Sequence, residues 1–179
     1  MEFPGGGDCN LLDGDRMKRH RSNLKSSGEV TPWTCVEFCS CLDRARELEG
    51  LILAECEKHR FGDDDVFAIK LALEEALVNA VKHGNKMDRS KIVKVQYHVS
   101  DQRADITIED QGKGFNPAEL PDPTADENLE MCSGRGILLM RAYMTSVVFN
   151  PAGNKVTLTK FNESYSAPNT APSSAAAMG

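Results

Sequence analysis

No stretch of this 179-residue chain approaches the ~18 to 20 consecutive apolar residues that cross a bilayer, so no helical membrane span is expected. Positive charge is also short. The 21 basic residues face 27 acidic ones, for a formal net charge of −6. Phosphate-backbone binding rests on a concentrated basic surface, so direct nucleic-acid binding is not expected either. The one basic run, "RMKRHR" from Arg16 to Arg21, lies among few apolar residues and reads as a solvated arm. The opening "MEFPGGGDCN" has neither the basic start nor the apolar run of a secretory leader, which points to a cytoplasmic location and reduced thiols. Of the six cysteines, Cys35, Cys39 and Cys41 stand close together. No second pair or histidine cluster follows at zinc-ligand spacing, so they read as part of a thiol-rich helix.

What is present is the composition of a globular domain, 40% hydrophobic and 27% charged, in a chain long enough to bury one core. Residues 1–30, with Gly5-Gly6-Gly7 and mixed charges, are expected to form a disordered arm. The tail 163–179, "ESYSAPNTAPSSAAAMG", is rich in Ser, Ala and Pro and is expected to be disordered as well. The folded domain is expected over residues 31–162, with no internal repeat. Apolar spacing predicts a first helix over 34–61, through Val36, Cys39, Leu42, Leu48, Leu51 and Ile52. A second helix is expected to start at Asp64 or Asp65 as a cap and to carry the stripe Val66, Ile69, Leu73, Leu77 and Ala80. Gly84 is its expected C-terminal stop.

"IVKVQYHV" (92–99) and "RADITIED" (103–110) alternate as the strands of a hairpin. A polar connection from Asn116 to Cys132 holds three prolines and five acids, a length and composition that predict a mobile lid. A third helix over "GILLMRAYM" and a closing hairpin, "SVVFN" and "KVTLTK", complete the order. The predicted fold class is α+β: a two-layer sandwich with helices on one face of a mixed, mainly antiparallel sheet.

The second helix has a polar side. Glu75 and Asn79 are four residues apart and share a face, which Lys82 and His83 continue. A carboxylate, an amide and a cation in a row are the groups that handle a metal-bound phosphate, because magnesium takes oxygen ligands and leaves the rest to phosphate and water. A solvated helix face is the bland alternative. Two further places single themselves out. "IEDQGKGF" ends a strand in two acids and spends Gly112 and Gly114 within three residues, so that backbone passes close to a ligand beside the acceptor Asp110. Gly134, Arg135 and Gly136 precede the third helix, whose first N–H groups could meet phosphate oxygens beside a fixed positive charge.

"LEEALVNAVKHGN" (73–85), "EDQGKGF" (109–115) and "SGRGILLM" (133–140) resemble the three ATP-binding motifs of the GHKL, or Bergerat-fold, ATPase superfamily. The resemblance runs over roughly residues 33–161 and is specific to the small anti-sigma-factor serine/threonine kinases. Sensor histidine kinases usually carry Asn where Glu75 stands. The resemblance implies a Bergerat two-layer α/β sandwich that binds ATP with Mg²⁺. It assigns Glu75 as the general base, Asn79 as the magnesium ligand and Asp110 as the acceptor for the adenine amine. Gly112 and Gly114 then shape the base pocket, while Lys82, His83, Gly134, Arg135 and Gly136 serve the phosphates. Implied partners are a sigma factor, a small STAS-type antagonist protein as phosphoacceptor, and a second copy of the chain in a homodimer. The resemblance departs at one point: relatives place a Thr just after the last hairpin glycine, whereas Gly153 is followed here by Asn154 and Lys155, with Thr157 and Thr159 further on. Two readings remain open, a protein kinase and a GHKL-fold module that holds a partner without phosphoryl transfer, because an intact pocket does not prove turnover. A third, a detached histidine-kinase domain, is opposed by Glu75.

Overall fold

The computed structural model describes residues 17–26, 29–116 and 135–166. Strands β1 (Lys18–Ser26) and β2 (Glu29–Cys39) precede helices α1 (Leu42–Lys58) and α2 (Asp63–Val78). α2 runs directly into a π-helical turn, Asn79–Gly84. Then come β3 (Ile92–Val99), β4 (Arg103–Glu109), α3 (Arg135–Tyr143), β5 (Ser146–Phe149) and β6 (Lys155–Phe161).

The strands build one six-stranded sheet in the order β1-β2-β3-β4-β6-β5. Among the described residues every pairing is antiparallel, so the sheet there is antiparallel throughout rather than mixed. One face carries the core. Val36 and Phe38 of β2, Val93 and Val95 of β3, Ile106 and Ile108 of β4 and Leu158 of β6 are buried against Leu48 and Ile52 of α1, Ile69, Leu73 and Leu77 of α2 and Met140 of α3. Alternation along each strand sends the next residue to the opposite face. There the register lines up Lys18, Glu37, Lys94, Glu109 and Lys155 in one row of alternating charge across five strands. Lys94 pairs with Glu37 at 3.2 Å and Lys155 with Glu109 at 2.9 Å. Such half-exposed pairs add little energy singly, but a slip of one residue would turn this row into the apolar core, so they specify register.

The structure departs from the expected first helix. Its first six residues, 34–39, belong to strand β2, and only Leu42–Lys58 are helical. Val36 and Phe38 satisfy a period of two as well as they fit a helix, and pairing with β1 and β3 decides between the two. The clustered thiols therefore lie on a strand and its exit, with Cys41 at the N-cap of α1. β1 lies inside the segment expected to be a disordered arm. At the start of α2, neither Asp64 nor Asp65 caps; Gly62 is the N-cap residue. Asp65 is instead buried and receives Lys160 Nζ at 3.1 Å and the Glu163 N–H at 2.9 Å, tying the helix start to the end of β6. The expected lid lies outside the described residues from Pro117 onward.

Candidate active site

Helix α2 delivers its polar groups to one wall of a cavity of about 960 Å³, near the upper end of the size range of small-molecule sites. Wall positions recur as Glu75 and Ala76, Asn79 and Ala80, His83 and Gly84, a spacing of four residues. Beyond Val78 the helix widens, and Asn85 N–H reaches the Ala80 carbonyl at 2.8 Å, five residues back. A turn closed by such bonds holds more residues than the 3.6 of an α-helix. His83 therefore completes the turn after Asn79, whereas Lys82 falls short of it. Lys82 is exposed and stands off the cavity wall, so the expectation that it shares the Glu75 face is corrected.

Asp110 occupies a second wall, where the chain leaves β4. Its Oδ1 accepts the Gly112 N–H at 2.7 Å. Burial pushes the carboxyl above the ordinary carboxylate range. The Gly112 N–H and Lys91 act against that shift, and Glu109 adds to it. A carboxylate short of solvent and of donors is poised to accept a hydrogen bond from a ligand. The loop and the end of the helix fit without spare room. A Cβ on Gly84 would run into the Asp110 carboxyl, and one on Gly112 into the Gly84 carbonyl. Gly84 is thus glycine because Asp110 needs its space, not because a left-handed cap ends the helix. Asn85, fully buried, fastens the two segments. Its Nδ2 donates to Ser40 Oγ at 2.6 Å and to the Ile92 carbonyl at 3.1 Å, and its Oδ1 accepts the Gln111 N–H at 2.8 Å.

Gly114 and Gly153 both line the cavity and both need the left-handed backbone region, with φ +70° and +69°. They interlock: a Cβ on Gly114 would meet the Ala152 carbonyl, and one on Gly153 would meet the Phe115 backbone. Phe115 and Phe149 stack edge to face at 5.2 Å on the same wall.

The third wall is the start of α3. Gly136 lies against Glu75, whose Oε2 occupies the place a Gly136 Cβ would take; the Asn79 amide nitrogen is 3.6 Å from that point. Two motifs from opposite ends of the domain therefore meet at the Glu75 carboxylate. Arg135 is exposed and is not on the wall, and Gly134 lies outside the described residues.

Several wall residues were given no role from the sequence: Lys86, Lys91 and Lys113, and also Asn154 and Lys155, which were noted only where relatives carry a Thr. Lys86 has a φ of +59°, unusual for a residue with a side chain, and no motif announces it. Lys113 could have been found, since it sits between the two motif glycines. Lys86, Lys91 and Lys113 bring positive charge to the cavity wall within an acidic protein, a setting that suits a polyanion.

Among the described residues, no group of three or more His, Cys, Asp or Glu is placed to hold a metal ion. Glu75 and Asn79 supply at most two oxygen-bearing side chains. That donor set suits magnesium, which takes one or two protein ligands and completes its shell with phosphate and water. No helix among the described residues is long and apolar enough to cross a membrane.

Comparison with known proteins agrees with this arrangement. Residues 40–160 match the histidine kinase-like ATPase domain. The serine-protein kinase RsbW of Bacillus licheniformis is 35% identical over 114 residues, covering 58% of this chain and 69% of that protein. The anti-sigma F factor of Clostridium perfringens (strain SM101 / Type A) is 35% identical over 97 residues, covering 52% and 69%. The serine-protein kinase RsbW of Bacillus subtilis is 31% identical over 107 residues, covering 55% and 66%. Three motif-bearing walls around one cavity and a match over more than half the chain lead to one conclusion: this chain belongs to the histidine kinase-like ATPase domain family, in the GHKL branch of the anti-sigma serine kinases.

Proposed function

We propose that the cavity binds ATP with magnesium and that the domain transfers the γ-phosphoryl group to a serine or threonine of a small STAS-type antagonist protein, acting as an anti-sigma factor in a partner switch. The observation that carries this reading is the meeting of Glu75, Asn79 and Gly136 at one part of a cavity whose other walls hold Asp110 and Gly112.

In this reading Asp110 accepts a hydrogen bond from the adenine amine, and Gly112 and Gly114 let backbone approach the base. His83, Lys86 and the first N–H groups of α3 face the phosphates. Asn79 would hold magnesium, which when bound would supply positive charge to offset the negative charge of the phosphates. Glu75 orients the attacking hydroxyl and takes its proton. The new bond joins the hydroxyl oxygen to the γ-phosphorus, the bond from that phosphorus to the bridging oxygen breaks, and ADP leaves with the electron pair. The serine-protein kinase and anti-sigma names of the relatives support the same chemistry for this chain.

The test is incubation with labelled ATP, magnesium and a co-encoded STAS-type protein. Label should appear on a serine or threonine of the partner, and Glu75→Ala should slow its appearance by about 10² to 10⁴, the span of general acid–base help. A protein that binds ATP and the partner yet labels none of it is a holding module, and the kinase reading is then wrong.

A further inference from the structure

We infer that Asn154, oriented by Asn150, is a positioning residue that aims the Asp110 carboxylate and thereby sets how strongly the site prefers adenine over a base lacking the amine. The inference rests on the reading of Asp110 as the adenine acceptor.

Asp110 is the first residue beyond β4, at the point where the strand parts from β6. The ladder ends at Glu109 opposite Lys155, and the next pair is completed differently. Asp110 N–H donates to the Asn154 carbonyl at 3.0 Å, and the Asp110 carbonyl accepts from the Asn154 side-chain Nδ2 at 3.1 Å. The side-chain amide thus stands in for a backbone donor that the diverging strand can no longer supply. Without it, the Asp110 carbonyl loses that donor, and the peptide joining Asp110 to Gln111 is held only from its other edge, by the Gln111 N–H bond to Asn85 Oδ1.

The orientation of that amide is set by a relay. Asn150 Oδ1 accepts two backbone N–H groups, from Asn154 and Lys155, each at 3.1 Å. Only an oxygen can do that, so Asn150 Nδ2 must point the other way, and it donates to Asn154 Oδ1 at 2.9 Å. With its oxygen taken, Asn154 can offer only Nδ2 to Asp110. The turn that carries both asparagines is itself held under the Asp110 loop by the Gly114–Ala152 and Gly153–Phe115 interlocks. The opposite side of the loop is held independently, through Gln111 N–H and Asn85 Oδ1 at 2.8 Å. Removal of the Asn154 side chain therefore loosens one edge of the loop, where only the Asp110 N–H bond to the residue 154 carbonyl is left, while the loop stays in place.

The experiment measures dissociation constants of the full chain for ATP and for inosine triphosphate, which carries a carbonyl where adenine has its amine. Wild type should prefer ATP. Asn154→Ala should weaken ATP about tenfold, the worth of one hydrogen bond, and leave inosine triphosphate nearly unchanged, so the preference collapses. Asn150→Asp keeps both backbone bonds of the turn but sets a carboxylate oxygen against Asn154, which draws the Asn154 Nδ2 toward residue 150 and away from Asp110; it should weaken ATP about threefold to tenfold with the same selectivity, and it decides the matter if Asn154→Ala does not fold. Asp110→Asn should abolish the preference, and adding Asn154→Ala to it should change nothing further. If Asn154→Ala weakens both nucleotides equally, or neither, Asn154 is a purely structural turn residue and the inference is overturned. If Asp110→Asn leaves the preference intact, it is the adenine-acceptor reading that fails, and this inference fails with it.

Discussion

Gly136 offers a perturbation whose effects on fold and function run in opposite directions. Replacing it with Ala puts a Cβ where Glu75 Oε2 now lies, inside the 3.0 Å limit that Cβ atoms respect. The obstacle is the end of a flexible side chain, so the carboxylate, not the helix backbone, gives way. Glu75 Cδ is 3.2 Å from the new methyl and Asn79 Nδ2 is 3.6 Å away, so the retreat carries the carboxylate by roughly an ångström and leaves the amide in van der Waals contact. A displacement of about 1 Å of a reacting group costs on the order of 10²-fold in rate. Stability should move the other way. Gly136 lies within α3, where Ala is favoured over Gly by up to about 1 kcal/mol. Gly136→Ala should therefore melt at the same or a higher temperature, bind ATP with little change and phosphorylate its partner about 100-fold more slowly. The assays are thermal unfolding, ATP titration and single-turnover transfer. A wild-type transfer rate in a folded variant would refute the placement of Glu75 at the reaction centre.

Glu74 is the internal control for Glu75: it is exposed, lies about 100° around α2 and does not line the cavity, so Glu74→Ala should leave ATP binding and transfer within about twofold of wild type in the assay that detects the Glu75→Ala defect. Asp110→Asn should separate stability from affinity. Because burial raises the folded carboxyl above its unfolded value, the native state favours the proton, and ionisation costs stability once pH has risen through the folded value. Asn removes that cost while keeping an oxygen for the Gly112 N–H, so the ligand-free variant should be at least as stable at neutral pH, and ATP should raise its melting temperature far less. Lys160→Met should cost about 3 to 5 kcal/mol in urea unfolding, since it leaves the buried Asp65 carboxylate without its cation. Desolvation pulls the Lys160 ammonium down, yet hydrogen bonds to Glu163 and Asp65 outweigh it and leave the group raised. Its contribution is thus complete at neutral pH and lost as pH climbs beyond the ordinary lysine range, so the wild-type advantage over Lys160→Met should shrink only in strong alkali.

The sequence by itself determined the elements whose pattern is local. The alternation of 92–99 and 103–110, the apolar stripe of α2 and the four-residue spacing of Glu75 and Asn79 are periodic signals carried by contiguous residues, and each is realised in the structure, save that the second strand stops at Glu109. The glycine-bearing stretches at 112–114 and at 136 were legible for the same reason. Tertiary structure decided what depends on another segment. Residues 34–39 fit a helix or a strand until β1 and β3 offer their edges, so pairing rather than periodicity makes them β2. Lys82 leaves the site because the helix widens where it meets the Asp110 loop, a change no propensity in 79–84 announces. Gly84 is glycine on account of a carboxyl twenty-six residues away, and Asn154 gains its role from a carbonyl forty-four residues back. Helix and strand periods follow from backbone geometry and can be read along the chain. A contact between distant residues is set by the packing of the whole core, and it exists only once that core has closed.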